Sequence, residues 1–219
     1  MPQSKPPSDP PSSRTEGTRR RVLDAAERLL RTGSAAFSMR ELATEAGVSF
    51  ATPFNLFASK VGIMHAISAE RIETMGKRFG EAAPRGDAAA RVLAAVEIAA
   101  AVMLDAADVN RAVMGALGAP HAEPGRVYVQ SRELWAEAIG LGEGIQPSIV
   151  SVAKTVLPDQ LAIAFRGVLS FWTSGELADA DLVARCRAAA ATSLLGFVDA
   201  DRRVVMLAEM GGAIDEIRC

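Results

Sequence analysis

The sequence has few of the residues on which metal and disulfide chemistry depend. Among its 219 residues only two are cysteine, Cys186 and Cys219, and only two are histidine, His65 and His121. Neither cysteine has a CxxC neighbour, so the ligand spacing of a zinc site is absent. Two cysteines cannot build a disulfide scaffold, which favours a reducing compartment and predicts a cytoplasmic protein.

Motifs of the common catalytic sites are also missing. The chain contains no GxSxG, no P-loop, no HExxH and no GxGxxG pattern. Both histidines are predicted to be surface or packing residues, and Cys186 to be buried and unreactive. Cys219 is expected to be exposed, without an activating partner. We therefore predict no catalytic residue, no metal site and no cofactor, although an enzyme stays the main alternative from another class.

Long apolar runs are absent as well. The longest nearly apolar stretch, Val92–Leu104, has 13 residues and includes Glu97, whereas a membrane span needs about 20 apolar residues. This stretch is predicted to be a buried helix, and no membrane association is expected. Residues 1–13 hold five of the eleven prolines without an apolar run, which predicts a disordered tail and not a signal peptide.

Net charge is small, but it is unevenly distributed. The chain carries a formal charge of −2 and is 49% hydrophobic and 23% charged, which excludes a wholly disordered protein. Taken whole, this charge argues weakly against nucleic acid as a partner. Residues 1–80 carry +4 and residues 81–219 carry −6. This asymmetry indicates a basic module attached to an acidic one.

What the chain does have is a continuous helical pattern after residue 13. Alternating apolar and polar residues are rare, whereas alanine, leucine, arginine and glutamate dominate. An all-α fold is therefore predicted, with Thr18 as the N-cap of the first helix. The predicted helices cover about 18–32, two short helices after Ser38 and Ser49, 60–83, 87–106, 108–117, 125–141, 148–156, 159–177, 179–199 and 202–217.

The two short helices have the features of a helix-turn-helix. Ser38 stands three residues before Glu41, which predicts a capping box at the start of the first short helix. Gly47 supplies the backbone freedom that a tight turn needs. Ser49 is predicted to open the second short helix.

The second short helix has two faces of different character. Pro53, Leu56 and Phe57 are spaced i, i+3, i+4 and are predicted to face the core. The opposite face carries Phe50, Ala51, Phe54 and Asn55. Two exposed phenylalanines on a helix call for a partner, and a DNA major groove is one. Phenylalanine and alanine can contact thymine methyl groups, and asparagine can read adenine.

Polar and basic residues flank these helices where they could hold phosphates. The predicted phosphate-binding residues are Ser38, Arg40, Ser49, Thr52 and Lys60, and Arg14 and the run Arg19–Arg21 are predicted to add backbone or minor-groove contacts. Each feature has an ordinary explanation: a serine before a helix is usually only a cap, and an arginine run is usually a solvated face. Their combination in one three-helix unit favours DNA binding.

The stretch TRRRVLDAAERLLRTGSAAFSMRELATEAGVSFATPFNLFASKVGIMHAI resembles the DNA-binding domain of TetR/AcrR-type transcriptional regulators. The matching elements are the AAERLL helix, Ser38 through AxxAGVS, and the run at Phe54, Phe57 and Lys60. The resemblance covers about 50 residues strongly, and the rest of the chain only in its layout of long apolar helices. It implies that Ser38, Arg40, Thr52 and Lys60 occupy phosphate-contacting positions.

The resemblance further implies a two-domain homodimer that binds a palindromic double-stranded DNA operator. It implies a repressor that a small apolar or amphipathic effector releases from DNA. The expected domains are a tail over 1–13, a helix-turn-helix domain over 14–60 and an effector-binding and dimerisation domain over 61–219. The sequence departs from the family at Phe54, usually tyrosine, at Leu56, and at Ala51-Thr52-Pro53, so operator contacts can differ.

The last domain holds two apolar helices that are predicted to pair with their copies in a dimer. The candidate interface residues are Leu161, Val168, Trp172, Ala190, Leu194 and Phe197. The alternative is that these helices only form the core of one protomer. The candidate effector-binding residues are Glu97, Met103, Met114, Tyr128, Trp135 and Phe165; the alternative for the methionine and aromatic residues is that they belong to the core, which is the commoner role of such a stripe.

Glu97 has two possible environments. Buried, it would need a partner such as Arg166; at the edge of the helix it would face water. As a hypothesis, Glu97 binds a polar or cationic group of the effector. A regulator without a small-molecule effector, controlled by a protein partner, is the alternative function, and a filled core in the second domain would favour it.

Overall fold

In a computed structural model of the chain, the structure describes residues 11–33, 37–119 and 125–218, without side chains for 11–13 and 211–218. These residues form α-helices and no β-strand, which confirms the all-α prediction. The helices are α1 (Pro11–Arg31), α2 (Met39–Glu45), α3 (Ala51–Phe57), α4 (Lys60–Ala82), α5 (Ala88–Leu104), α6 (Ala107–Leu117), α7 (Val127–Ile139), α8 (Val150–Thr173), α9 (Asp179–Leu194) and α10 (Ala200–Arg218).

The chain divides into two compact units, Met1–Ala66 and Ile67–Cys219, with the division inside α4. The sequence placed this boundary at residue 60, where α4 begins. The first unit contains the helix-turn-helix, and the second contains α5 to α10. Residues 1–10 of the predicted tail, together with His121 and Cys219, lie outside the described residues.

Helix α1 begins earlier than the capping pattern predicted. It starts at Pro11, so Thr18 is in the middle of the helix and not at its N-cap. The Thr18 hydroxyl donates to the Arg14 carbonyl at 2.9 Å. A threonine inside a helix commonly bonds in this way to the carbonyl four residues earlier, instead of capping the helix start. A proline at the first helical position is compatible with a helix start because the missing N–H has no partner there.

The first unit is held together by apolar packing and one ion pair between helices. Val22, Leu23 and Ala26 of α1 are at most 1% exposed and face the core with Leu42 of α2. Arg28 near the end of α1 donates to the Glu45 carboxylate at 2.6 Å. These contacts fix α2 against α1 and thereby place the turn that follows α2.

Helix α8 corrects a predicted helix break. Pro158 was expected to separate two helices, but α8 runs from Val150 through Pro158 to Thr173. Proline removes one backbone donor and usually kinks a helix. Here the apolar side chains on both sides, Leu157 and Leu161, are at most 1% exposed. Their burial on one continuous face stabilises the helix across the proline.

In the second unit α5, of which ten residues are buried, packs against α7 and α9, and α8 packs against the same two helices. The stretch Pro147–Thr173 is long and apolar enough to cross a membrane, with 33% of its apolar window buried in the protomer. One such helix is weak evidence for a membrane protein, because core helices of soluble proteins have the same properties. The unburied part of α8 therefore has to be explained in another way.

Candidate nucleic-acid interface

The start of α2 is fixed by the predicted capping box. The Ser38 Oγ accepts the Glu41 N–H at 3.2 Å, and the Ser38 N–H donates to the Glu41 carboxylate at 2.6 Å. Hydrogen bonds from Ser38 hold the pKa of the Glu41 carboxyl below its ordinary value. The bond from the Ser38 backbone has the larger effect, and the bond from its side chain the smaller. Glu41 adds a fixed negative charge at the same helix end.

The turn from α2 to α3 is short and requires a residue with a left-handed backbone conformation, that is, with positive φ. Gly47 has φ +63°, and the Val48 N–H donates back to the Ala43 carbonyl at 3.0 Å. Glycine adopts this conformation without steric cost. Beyond the turn, the Ser49 and Thr52 hydroxyls are hydrogen-bonded at 2.8 Å. The helix-turn-helix predicted from the sequence is therefore present.

Helix α3 presents an aromatic face to solvent. Phe50, just before the helix, is 53% exposed and Phe54 is 39% exposed, whereas Phe57 on the opposite face is 7% exposed. The rings of Phe50 and Phe54 pack edge to face at 5.3 Å. The Arg40 guanidinium lies 5.6 Å from the Phe50 ring. These contacts bring an arginine of α2 and two aromatic rings together on one exposed surface.

The predicted core face of α3 is mostly confirmed. Pro53 and Phe57 are buried and Leu56 is half-buried. Ala51 and Asn55 are exposed on the same side as the aromatic pair. The helical spacing therefore predicted the correct orientation of α3.

Lys60 is less available than the sequence suggested. Its ammonium donates to the Phe37 carbonyl at 3.1 Å and lies 4.3 Å from the Phe37 ring. Burial lowers the pKa of Lys60, and the negative charge of Glu41 acts in the opposite direction. Lys60 therefore ties the start of α4 to the segment before α2. An ammonium has three donors, so this bond leaves capacity for a phosphate.

The turn from α3 to α4 depends on a residue that sequence reasoning missed. A Cβ on Gly62 would lie 2.0 Å from the Phe57 carbonyl oxygen, so this position has room only for glycine. The Gly62 N–H donates to the Ser59 hydroxyl at 3.1 Å. Ala58 in the same turn has φ +60°. The glycine after the Lys60-Val61 pair was the available signal.

The arginines of α1 have different environments. Arg19 is half-buried and stacks on Phe57, 4.6 Å from the ring centroid. Arg20 pairs with Asp24 at 2.9 Å, and Arg21 is exposed. Arg19 therefore has a packing role, which the sequence analysis did not foresee.

Of the six predicted effector-binding residues, four lie in one buried cluster and two lie outside it. Met103, Met114, Trp135 and Phe165 are buried in the core of the second unit, where the Trp135 and Phe165 rings pack at 5.4 Å. Tyr128 is 50% exposed and donates to Asp159. Glu97 is partly exposed and paired with Arg187, so it is neither buried nor paired with Arg166.

Several predicted dimer-interface residues are already buried inside the protomer. Leu161, Trp172, Ala190 and Leu194 are at most 3% exposed and belong to the core. A side chain without exposed surface cannot contact a second protomer, so these predictions are wrong. Val168 and Phe197 are half-buried. The exposed apolar residues of α8 are Val152, Ile163 and Phe171, at 54%, 55% and 58%.

The cysteine and histidine predictions agree with the described residues. Cys186 is 1% exposed, and burial raises the pKa of its thiol to about 12. A thiol with that pKa is protonated at neutral pH and unreactive. His65 is half-buried in α4.

Residues 22–67 match the family described as bacterial regulatory proteins, tetR family. A TetR transcriptional regulator from Rhodococcus sp. RHA1 has a similar structure, with a TM-score of 0.67 and 21% identity over 84% of this chain and 97% of that chain. TylP, a TetR regulator from Streptomyces fradiae, gives a TM-score of 0.56 and 17% identity over 93% and 98%. At these identities the likeness concerns the fold. A search of the curated proteins by sequence gives no match.

Proposed function

We propose that this chain is a TetR-family transcriptional regulator and acts as a homodimeric repressor, since residues 22–67 match the tetR family of bacterial regulatory proteins. In this proposal, each protomer places α3 in the major groove of one half of a palindromic operator. The carrying observation is the exposed pair Phe50 and Phe54 beside Asn55 on α3. Exposed aromatic side chains are unfavourable in water, and thymine methyl groups are suitable partners for them.

Phosphate contacts supply the second part of the proposed interface. Arg40 and Ser38 at the start of α2, and Ser49 and Thr52 around the start of α3, are exposed or half-buried. Lys60 is proposed to contribute a further phosphate contact from a third helix, because it is the first residue of α4. Such contacts fix the position of a protein on the duplex, while the α3 side chains read the bases.

Substitutions of two adjacent residues of opposite charge, Arg40 and Glu41, test the proposed phosphate contacts. Arg40→Gln removes a cation that neutralises a phosphate and is expected to weaken binding to every duplex. It should flatten the slope of log K against log salt by about 0.9 for each phosphate that is no longer neutralised. Glu41→Gln keeps the capping box, because glutamine serves at that position, and removes a negative charge. It is expected to strengthen binding at low salt.

Fluorescence anisotropy with one labelled duplex at several salt concentrations gives both slopes. The two variants are matched, since each replaces a charged side chain in the first turn of α2 with glutamine. If both variants moved affinity in the same direction, the start of α2 would not be a phosphate-binding surface.

The dimer interface is proposed on the exposed face of α8. Ile163 and Phe171 are more than half exposed and lie on the side of α8 away from its buried face. Val152 extends the same apolar surface by three turns, since it precedes Ile163 by eleven positions. Gly167, a small exposed residue between Ile163 and Phe171, allows close approach of a second helix. This surface also accounts for the apolar character of α8 without a membrane.

We expect Ile163→Glu with Phe171→Glu to weaken dimerisation at least about 100-fold, because two charges per protomer would be buried without partners. Leu141→Glu is the matched control, since Leu141 is 78% exposed in the loop after α7. Sedimentation velocity at micromolar concentration should show a monomer for the double variant and a dimer for Leu141→Glu. A stable monomer of the unsubstituted chain would contradict the dimer proposal.

The second unit is proposed to bind a small apolar or amphipathic effector that releases the protein from DNA. Its core contains Met103 and Met114 together with the packed rings of Trp135 and Phe165. Methionine and aromatic side chains adapt to varied apolar ligands. The proposed partners are thus an operator, a second copy of the chain and an effector, in the cytoplasm.

A further inference from the structure

Arg166 of α8 has an unusual environment for a half-buried cation. Its guanidinium donates to the Met114 sulfur at 3.2 Å and approaches the Met114 carbonyl oxygen at 3.5 Å. A thioether is a weak acceptor, and 3.5 Å is long for an N–H···O bond. Burial lowers the pKa of Arg166, but an arginine still remains charged at neutral pH.

Other half-buried arginines of the second unit have stronger partners. Three of them donate hydrogen bonds to carboxylates: Arg91 to Glu143, Arg111 to Asp179 and Arg187 to Glu97. Arg203 donates to the Leu195 carbonyl at 2.9 Å. Since burying a charge without a counterion is unfavourable, Arg166 differs from the arginines whose partners stabilise the fold.

Thr173, on the same side of α8 as Arg166, carries a buried hydroxyl group without a hydrogen-bond partner among the described residues. Thr173 follows Arg166 by seven residues, which is two helical turns or about 10 Å along the helix. Its methyl group would be 3.8 Å from a Cβ on Gly115. Both groups therefore border α6.

We propose that the interface between α6 and α8 binds an amphipathic carboxylate, whose head group pairs with Arg166. The planar guanidinium matches a carboxylate with two parallel hydrogen bonds. The apolar part of the ligand extends from the guanidinium along Met114, whose sulfur Arg166 already contacts. This inference rests on the proposed function, since it names the chemical class of the effector.

Binding of matched probes to the full-length protein tests the proposal. Sodium decanoate is compared with decanol, and sodium 4-phenylbutyrate with 4-phenylbutyramide, by the fluorescence of Trp135 and Trp172. Each acid is expected to bind at least about 10-fold tighter than its neutral analogue, the difference that one charge-assisted pair supplies. In Arg166→Met this preference should disappear, and Arg166→Lys should retain part of it.

Arg185→Met is the matched control, since Arg185 is exposed on α9, and it should keep the preference for the acids. Equal binding of acid and neutral analogue, no binding of either acid, or a preference that survives in Arg166→Met would each overturn the proposal.

Thermal unfolding without ligand gives an independent readout. Arg166→Met is expected to raise the Tm by about 2–4 °C, because it removes a desolvated charge without a carboxylate partner. Arg111→Met should lower the Tm, because Arg111 holds Asp179 and the Trp172 carbonyl. A lower Tm for Arg166→Met would show that Arg166 is a structural residue and would overturn the proposal.

DNA binding in the presence of the probes separates this inference from the proposed function. If decanoate binds through Arg166 and leaves DNA affinity unchanged, the carboxylate site stands and the effector response fails. If neutral analogues release DNA as well as the acids do, the effector response stands and the carboxylate site fails.

Discussion

Replacing Gly62 with alanine should abolish DNA binding, with a loss of affinity of at least about 100-fold. The new Cβ would lie 2.0 Å from the Phe57 carbonyl oxygen. Because the opposing atom belongs to the backbone, the turn between α3 and α4 must move to accommodate the methyl group. Overpacking of this kind costs about 1–3 kcal/mol or more, and it displaces the helix that carries Phe54 and Asn55.

Gly17→Ala is the matched control for this substitution. Gly17 lies in α1, in the same unit, and a Cβ there meets nothing within 4 Å. Alanine should stabilise that helix by about 0.5–1 kcal/mol and leave DNA affinity unchanged. DNA binding measured by anisotropy, with sedimentation as a check of the second unit, gives the result. Full DNA affinity in Gly62→Ala would show that the α3–α4 turn does not position the interface.

Truncating the aromatic pair is expected to have the second large effect. Phe50→Ala with Phe54→Ala should lower affinity for the preferred duplex about 100-fold while changing nonspecific binding little. The reason is that both phenyl rings no longer pack against the bases, each contributing about 1–2 kcal/mol, while the phosphate contacts remain. The salt slope is therefore expected to stay the same.

Tyr128→Ala serves as the control for removal of an exposed aromatic, since Tyr128 is 50% exposed in the second unit. Its DNA affinity should equal that of the unsubstituted chain. Asn55→Ala should act differently from both, relaxing the preference at one base pair by about 1–3 kcal/mol. Competition between the preferred duplex and a scrambled duplex measures these differences. If the aromatic double variant still preferred one duplex over the scrambled duplex to the same extent, Phe50 and Phe54 of α3 would not contribute to base recognition.

Features set by neighbouring residues were accessible from the sequence. The capping box of Ser38 and Glu41 and the turn at Gly47 depend on three or four consecutive residues, so their spacing was sufficient. The two faces of α3 followed from helical periodicity, because a single short helix has one buried side. The overall all-α class followed from composition in the same way.

Features set by distant residues were not accessible. Helix α8 is apolar on nearly every side, so its sequence could not show which face enters the protomer core; Leu161 and Trp172 were assigned to the wrong surface for this reason. Lys60 reaches the carbonyl of Phe37, 23 residues earlier. Glu97 meets Arg187, 90 residues later. Such pairs depend on the packing of whole helices.

The most direct measurement for the central claim is selection of duplexes from a randomised DNA library by the full-length protein. The exposed aromatic face of α3 and the proposed dimer predict enrichment of one two-fold symmetric sequence. Its half-sites should lie about one helical turn apart or a multiple of it, and Phe50→Ala with Phe54→Ala should lose the enrichment. Recovery of no preferred sequence, or an enrichment that persists in the aromatic double variant, would contradict the account.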